Sequence, residues 1–400
     1  MRIAIISDIH YGEGENHGKT NPETGLNTRL EDIDKVVNTF VDYVTNPTND
    51  VSVVVFAGDI YKDRKPTPTQ QTLFTKIIAR LLQYNESSIK IKKIIVFPGN
   101  HDIQLAAAAH SLSSLGVIAE YCGSSLRITE EPEDFLIETP YEKVLITTIP
   151  YLYRQKMQMQ SNEQVIEYYK SVINNSLAKY KNATARVFVG HQTVEGVALC
   201  DYIDVNTFNE IVVPQSILER FDAAFFGHIH TFQVVKGANP LIVNQGNPIT
   251  LNFGEICPKG FVVYDTQAQS HQQIVVESTK FVQIDIDTST DEQDATNAIV
   301  QQLTARASEL VNAIVKIKAS VKEKDLPIRT KEFQPLLEHV QFFVGVEKTI
   351  TRIERARNKD VQRGNSLEKI LAGVAVSRSY DDATAKRYKE LGLSLQEETL

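Results

Sequence analysis

The stretch Val53-Val54-Val55-Phe56-Ala57-Gly58-Asp59-Ile60-Tyr61-Lys62-Asp63-Arg64 decides the fold. Its first five residues are branched, aromatic or small and uniformly apolar, the pattern of a strand buried on both faces of a layered sheet. Gly58 stops the run and leaves one carboxylate, Asp59, at the strand's C-terminal end. A Gly-Asp pair after a strand is, by itself, a common turn. Four other segments repeat the arrangement. Ile3-Ala4-Ile5-Ile6-Ser7 leads into Asp8-Ile9-His10, and Ile94-Ile95-Val96-Phe97 into Pro98-Gly99-Asn100-His101-Asp102. Arg186-Val187-Phe188-Val189 leads into Gly190-His191, and Ala223-Ala224-Phe225-Phe226 into Gly227-His228-Ile229-His230.

Helical periodicity fills the intervals between these strands. Ile33, Val36, Val37, Phe40, Val41 and Val44 share one helix face, as do Leu73, Phe74, Ile77, Ile78, Leu81 and Leu82. Ser161 with Gln164 has the form of a capping box ahead of Val165, Ile166, Tyr169, Val172, Ile173 and Leu177. Val144-Leu145-Ile146, Leu241-Ile242-Val243 and Gly260-Phe261-Val262-Val263-Tyr264 supply further strands. The alternation predicts a layered α/β domain over residues 1–275. Residues 11–28 read as a long loop at a strand end, a usual place for function, with His17 as a solvated histidine within it.

The character changes near Phe281. Val282, Ile284 and Ile286 alternate with polar residues, a helix carries Ile299, Leu303, Leu310 and Val311, and Val315-Lys316-Ile317-Lys318-Ala319 is a second alternating strand. Phe342-Phe343-Val344 is a candidate third. Residues 278–356 thus read as a small α+β module, and residues 357–400 as a polar linker with short helices near Leu367–Val376 and from Asp381 to Leu391, closed by Gly392.

Composition bounds the function classes. The 400 residues are 42% hydrophobic and 23% charged, as in an ordinary globular protein, and suggest two or three domains. A net charge of −8 argues against coating nucleic acid through charge alone, while leaving room for a nuclease with a local basic rim. No apolar run is long enough to span a membrane, and no secretory leader is legible. Cys122, Cys200 and Cys257 are widely spaced and read as free thiols in a reducing compartment, so a cytoplasmic enzyme is expected.

The strand ends carry the chemistry. Asp8, His10, Asp59, Asn100, His191, His228 and His230 are oxygen and nitrogen ligands, and the C-terminal ends of parallel strands converge in such sheets. A single histidine of this kind is more often a core or surface residue than a ligand. Five strand ends using five of the nine histidines point instead to metal. Seven groups are too many for one tetrahedral ion with an open position and fit two divalent ions about 3.5–4 Å apart. Mixed His, Asp and Asn ligation suits manganese, iron or zinc better than magnesium.

In order and spacing, Asp8-x-His10, Gly58-Asp59, Gly99-Asn100-His101-Asp102, Gly190-His191 and Gly227-His228-x-His230 resemble the signature of the calcineurin-like metallophosphoesterases over the whole first domain. Within that superfamily the chain resembles the DNA double-strand-break repair nucleases of the SbcD and meiotic recombination eleven group. Gly246-Asn247-Pro248-Ile249-Thr250-Leu251-Asn252-Phe253-Gly254-Glu255, Lys259-Gly260-Phe261, and the α+β module with its helical tail carry this narrower likeness. Asp63-Arg64-Lys65 is similar to phage members, which would place the enzyme in a host cytoplasm.

The resemblance implies an α/β fold: a four-layer metallophosphoesterase core of two packed β-sheets flanked by helices, plus a small α+β DNA-capping domain and a C-terminal helical tail. It implies a manganese-dependent exonuclease and endonuclease acting on duplex ends and single strands in repair and recombination. A homodimer is implied, with an SMC-like ATPase of SbcC type docked on the tail. Asp8, His10, Asp59 and His230 would hold one ion, and Asp59, Asn100, His191 and His228 the other. His101 would stabilise the charged phosphorus or protonate the leaving oxygen, a task suited to an imidazole with an unperturbed pKa of about 6.5. Asp102 would orient His101 or its loop, or serve only as a turn residue. Dimer contacts in this family come from helices of the N-terminal third, so the face Leu73–Leu82 is a candidate, although burial within the domain explains it equally.

One departure stands beside the bridging aspartate. The superfamily usually has aspartate three residues on, and many repair nucleases have histidine or aspartate; this chain has Lys62. Asp63 would substitute if the loop bulged. Lys62, Arg64 and Lys65 form a basic rim that would contact DNA phosphates, or they are simply solvated. A small-substrate phosphoesterase, such as a nucleotidase or cyclic-nucleotide phosphodiesterase, and a metal-bearing scaffold for the ATPase are the competing readings.

Overall fold

The computed structural model describes residues 1–13, 17–88, 90–103, 125–198, 210–289, 294–323, 326–351 and 381–397, with a few residues between. The chain divides into two units. The first comprises Met1–Ile284, Gln302–Ile317 and Gln334–Val346; the second comprises Asp285–Gln301, Lys318–Phe333 and Glu347–Leu400.

In chain order the first part of the molecule forms β1 (Arg2–Ile6), α1 (Thr28–Thr45), β2 (Val51–Ala57), α2 (Pro68–Ser88), β3 (Lys93–Phe97), β4 (Leu126–Ile128), β5 (Glu133–Glu138) and β6 (Lys143–Ile149). Then follow α3 (Asn162–Lys179), β7 (Ala185–His191), β8 (Thr193–Val194), β9 (Val212–Val213), β10 (Ala223–Gly227), β11 (Gln233–Val234), β12 (Leu241–Asn244), β13 (Gly260–Asp265) and β14 (Ser270–Val275). One six-stranded sheet has the order β14-β13-β1-β2-β3-β4, and the other β11-β12-β10-β7-β6-β5. Each is mixed: parallel at its centre, with antiparallel partners β13 and β14 in the first and β5 and β11 in the second.

Alternation along the strands builds the layers. In β2, Val53, Val55 and Ala57 face the second sheet, meeting a core that includes Ile146, Val187, Val189 and Phe225. Val54 and Phe56 point the other way, onto α1 and α2 through Phe40, Val41, Phe74 and Ile78. The outer face of the second sheet packs on α3 through Phe188, Phe226, Val165, Tyr169 and Ile173. Helix, sheet, sheet, helix is the expected four-layer order, and it explains why the central strands read as unbroken apolar runs: both faces are buried.

Several local expectations are refined. Asn27 caps α1 by accepting from Arg29 N–H at 2.8 Å. Ser161 caps α3, but the Gln164 side chain reaches Gln160 N–H at 2.6 Å, one residue before the usual capping-box target. Phe74, Ile77, Ile78 and Leu81 of α2 are buried in the chain's own core, with Leu73 and Leu82 packed against it. His17 is not simply solvated; its ring packs edge-on against Phe253 and Phe281, with centroids 5.7 and 5.3 Å away.

Beyond β14 come β15 (Phe281–Asp287), α4 (Ala295–Ala305), a single turn at Ala307–Leu310, β16 (Ile314–Lys322) and β17 (Phe342–Thr351), with sheet order β15-β16-β17. The helix expected to carry Leu310 and Val311 therefore stops at Ala305, and Val311 is 54% exposed. The second unit buries Ile286, Ile299, Val321 and Phe333. The stretch Leu367–Val376 lies largely outside the described residues. The last helix, α5 (Asp382–Glu397), runs through Gly392 and does not end there. A helical glycine costs about 1 kcal/mol relative to alanine, too little to stop a helix flanked by leucines and glutamine. Among the described residues no helix is long and apolar enough to cross a membrane. Cys122 and Cys257 are free thiols, while Cys200 lies outside the described residues.

Candidate metal centre

Register brings the strand ends level. Ile6 pairs with Phe56 and Ala57 with Phe97, so β1, β2 and β3 stop side by side. In the second sheet Gly227 lies opposite His191. Past the strands, Asp8 N–H donates to Gly58 O at 3.0 Å, His10 N–H to Asp59 O at 3.0 Å, and Tyr11 N–H to Ile60 O at 2.8 Å. Asp8, His10, Asp59 and His228 take φ values of 54, 52, 50 and 96°, in the left-handed region that L residues avoid. Strain of roughly 1–3 kcal/mol at each is what a functional constellation stores and the surrounding fold compensates. The glycines are spatial requirements. A Cβ on Gly99 would overlap the Asp59 carboxylate and backbone, and one on Gly58 would overlap the His191 ring.

Asp59 sits at the centre and is almost fully buried. Its Oδ1 accepts from His101 N–H at 2.8 Å, and its Oδ2 lies 3.4 Å from His191 Nε2 and 3.6 Å from His10 Nε2. Three groupings have ligand atoms within 4.8 Å of one another: Asp8 with His10 and His230, Asp8 with Asp59 and His191, and His10 with Asp59 and His101. His228 Nδ1 meets Asn100 Oδ1 at 2.9 Å, and the His191 and His228 rings are 5.6 Å apart. The residues predicted from the five motifs thus converge at one place. His191 Nδ1 donates to Ala57 O at 2.7 Å, and its buried Nε2 has no hydrogen-bond partner. His10 Nε2 and His230 Nε2 face each other at 3.1 Å. A buried orphan nitrogen beside carboxylates, and two imidazole nitrogens 3.1 Å apart, fit divalent cations.

The electrostatics follow from this crowding. Burial acts to raise the Asp59 pKa, but His191, His10 and His101 outweigh it and hold Asp59 well below the carboxylate range. Burial lowers His10 to about 4, more than Asp59 and Asp8 lift it. For His191 burial also pulls downward, yet Asp59 and Asp8 prevail and raise it to about 9. Asp102 is pushed up to about 7 by burial and then by the Asp59 charge. Its carboxylate accepts from Ile60, Tyr61 and Gly99 N–H groups at 3.1, 2.9 and 3.0 Å, so it clamps the β2 loop to the β3 loop.

His101 is oriented by a main-chain group: its Nδ1 donates to Lys62 O at 2.8 Å. The Lys62 amine turns away and donates to Glu13 O at 3.2 Å. Asp63 is exposed and is not among the residues that hold the histidines. Lys62, Asp63, Arg64 and Lys65 line a cleft of about 430 Å³ together with Asn100, His101 and Tyr153. There the Arg64 guanidinium lies 5.3 Å over the Tyr153 ring and donates to its hydroxyl at 2.7 Å.

Three contributors have no legible signal or only a positional one. Glu210 and Glu255 contact His228 and His230 at 3.2 and 3.0 Å. Glu255 belongs to the Gly246–Glu255 segment, and it pairs with Lys259 at 2.9 Å in irregular structure, where spacing gives no signal. Nothing near Glu210 in the sequence marks it. Ser7, the last residue of an apolar run, donates its hydroxyl to Asp8.

A family model described as calcineurin-like phosphoesterase matches residues 1–232, more than half of the chain. Among solved structures, the chain is similar to Vps29 complexed with Zn²⁺ from Entamoeba histolytica (10% identity, 66% of this chain, 86% of that chain, TM-score 0.27). It is also similar to a hypothetical protein from Pyrococcus horikoshii OT3 (11% identity, 70% and 89% covered, TM-score 0.34). A third is a predicted phosphoesterase from Streptococcus pneumoniae TIGR4 (13% identity, 66% and 80% covered, TM-score 0.24). These three likenesses are too distant to carry any argument about activity. With the family model spanning the motif-bearing strands, and the strand ends assembled into a metal-capable cluster, the chain belongs to the calcineurin-like phosphoesterase family.

Proposed function

We propose that this phosphoesterase is a two-metal DNA phosphodiesterase, the manganese-dependent exonuclease and endonuclease subunit of an SbcCD-type recombination complex. The observation that carries this reading is the cleft beside His101, open and bordered by Arg64, Lys65 and the Lys62 backbone. It offers cationic groups to phosphates flanking a scissile bond, which a mononucleotide would not need.

Asp8, His10, Asp59 and His230 would hold one ion, and Asp59, Asn100, His191 and His228 the other. Bound there, such ions neutralise charge on the phosphoryl group and lower the pKa of an attacking water. Asp59, presented to both groups of ligands, would serve both ions. His101 donates its Nδ1 proton to the Lys62 carbonyl, which leaves Nε2 to exchange protons. In hydrolysis a water oxygen bonds to phosphorus as the bond from phosphorus to the departing sugar oxygen breaks. His101, protonated at both nitrogens, would give its Nε2 proton to that sugar oxygen and regain one from the proton the water releases. On the terminal helix, Tyr388 and Leu391 are 38% and 62% exposed, which supports a docking role toward the ATPase.

Turnover of linear duplex and single-stranded DNA with Mn²⁺, measured against a nucleotide monoester, tests the reading. DNA is expected to be cut with the higher kcat/KM. A protein that hydrolyses the monoester and leaves both DNA forms intact, with or without the ATPase, is a small-substrate phosphoesterase; one that hydrolyses neither is a scaffold.

A further inference from the structure

The two histidines of Gly227-His228-Ile229-His230 face the centre through different nitrogens. His228 offers Nδ1, 2.9 Å from Asn100 Oδ1. His230 offers Nε2, 3.1 Å from His10 Nε2 and 3.9 Å from Asp8 Oδ1. Each is held from behind by a glutamate: Glu210 Oε1 lies 3.2 Å from His228 Nε2, and Glu255 Oε1 lies 3.0 Å from His230 Nδ1. An ionised carboxylate only accepts, so each held nitrogen carries a proton and the other nitrogen is the one left free to act as a ligand.

The glutamates differ in their company. Glu255 also binds the Lys259 ammonium at 2.9 Å, both side chains being nearly inaccessible, and accepts from Asn247 Nδ2, Leu251 N–H and Asn252 Nδ2 at 3.0, 3.0 and 2.9 Å. Its charge is therefore cancelled locally. Glu210 accepts from Thr193 Oγ1 at 3.1 Å and Gln192 Nε2 at 3.4 Å, and among the described residues its only ionic partner is His228. The ligand groups are unequal in the complementary sense. In the ligand assignment above, Asp8 would serve the His10–His230 ion, although its Oδ1 also lies 3.9 Å from His191 Nε2. Asn100, His191 and His228 would then have Asp59 as their one carboxylate ligand.

We propose that Glu210 is a positioning residue which holds the Nε2 proton of His228 and adds, through that imidazole, negative charge to the Asn100–His191–His228 group. This rests on the two-ion reading above. The two sites then respond unequally to Glu210: removing its charge weakens one site and leaves the other unchanged.

Titration calorimetry of the full chain with MnCl₂ separates the possibilities. Wild type is expected to bind two ions. Glu210→Gln keeps one site at wild-type affinity and weakens the other by about 10- to 100-fold, the range typical for losing a carboxylate behind a metal-binding histidine. Glu210→Asp recovers part of the loss. Thermal unfolding of the same samples shows whether each variant is folded; Thr193→Val, which removes only one hydrogen bond to Glu210, gives a smaller shift at the same single site if Glu210→Gln does not fold. Unchanged affinity at both sites in Glu210→Gln, or equal loss at both, overturns the proposal for Glu210. Fewer than two ions in wild type overturns the two-ion reading itself.

Discussion

Asp59 uses its two carboxylate oxygens differently, one for the His101 backbone and one for the histidines of both sheets. That division makes His101 and the metal cluster parts of one unit and fixes the outcome of single substitutions. His101→Asn removes the proton donor and an edge-on neighbour of His10, whose ring centroid is 4.8 Å away, but none of the seven proposed ligands. It is expected to lower kcat by about 10²- to 10⁴-fold while leaving Mn²⁺ affinity intact, as steady-state kinetics and calorimetry on the same preparation would show. Lys62→Ala is the contrasting case. The group that orients His101 is a backbone carbonyl and survives the change, so kcat on a small phosphodiester should stay within about threefold of wild type. A loss approaching that of His101→Asn would show that the lysine side chain takes part in the chemistry. Places in the cluster were legible where a strand end and a chemically suitable side chain coincided, as at Asp8, Asn100 and His191. They were not legible where the backbone does the work, as at Lys62 O, or where a lone carboxylate arrives from a segment without a pattern, as with Glu210.

At the scale of elements, the parallel strands β1, β2, β3, β7 and β10 present the site, and their burial on both faces made them conspicuous. The strands β4, β5 and β14 escaped notice because they are short or lie on sheet edges, where polar residues interrupt the pattern. The turn after β3 has no room for a side chain at Gly99. Gly99→Ala should force Asp59 or the loop to move, at a cost of about 1–3 kcal/mol for overpacking. The expected readout is weakened Mn²⁺ binding by calorimetry with the far-ultraviolet circular dichroism of wild type; wild-type affinity would show that the loop yields without disturbing Asp59. The terminal helix taught the opposite lesson about glycine. Gly392 looked like a stop and is an interior residue, because a single helical glycine is a modest penalty, whereas Gly58 and Gly99 answer to contacts that sequence does not display.

For the whole molecule, a net charge of −8 coexists with a local cationic border at the cleft. If DNA is the substrate, as proposed, grip would rest on few contacts in this chain, and a partner would supply the remainder. A chain stopped at Arg357 should lose capture of an SMC-like ATPase in a pull-down and retain its Mn²⁺ stoichiometry. Undiminished capture would remove the docking role from the tail. The fold class was readable over the first domain because helical and strand periodicities alternate there. Beyond Phe281 the elements were readable, but α4 ended earlier than its apolar spacing suggested, since Val311 turned outward.

The central claim is that Asp59 is shared by two metal ions at the converged strand ends. Anomalous scattering from crystals soaked in Mn²⁺ tests it most directly. Two peaks about 3.5–4 Å apart, one on each side of the Asp59 carboxylate, are the predicted result. A single peak, or peaks that avoid Asp59, would contradict it.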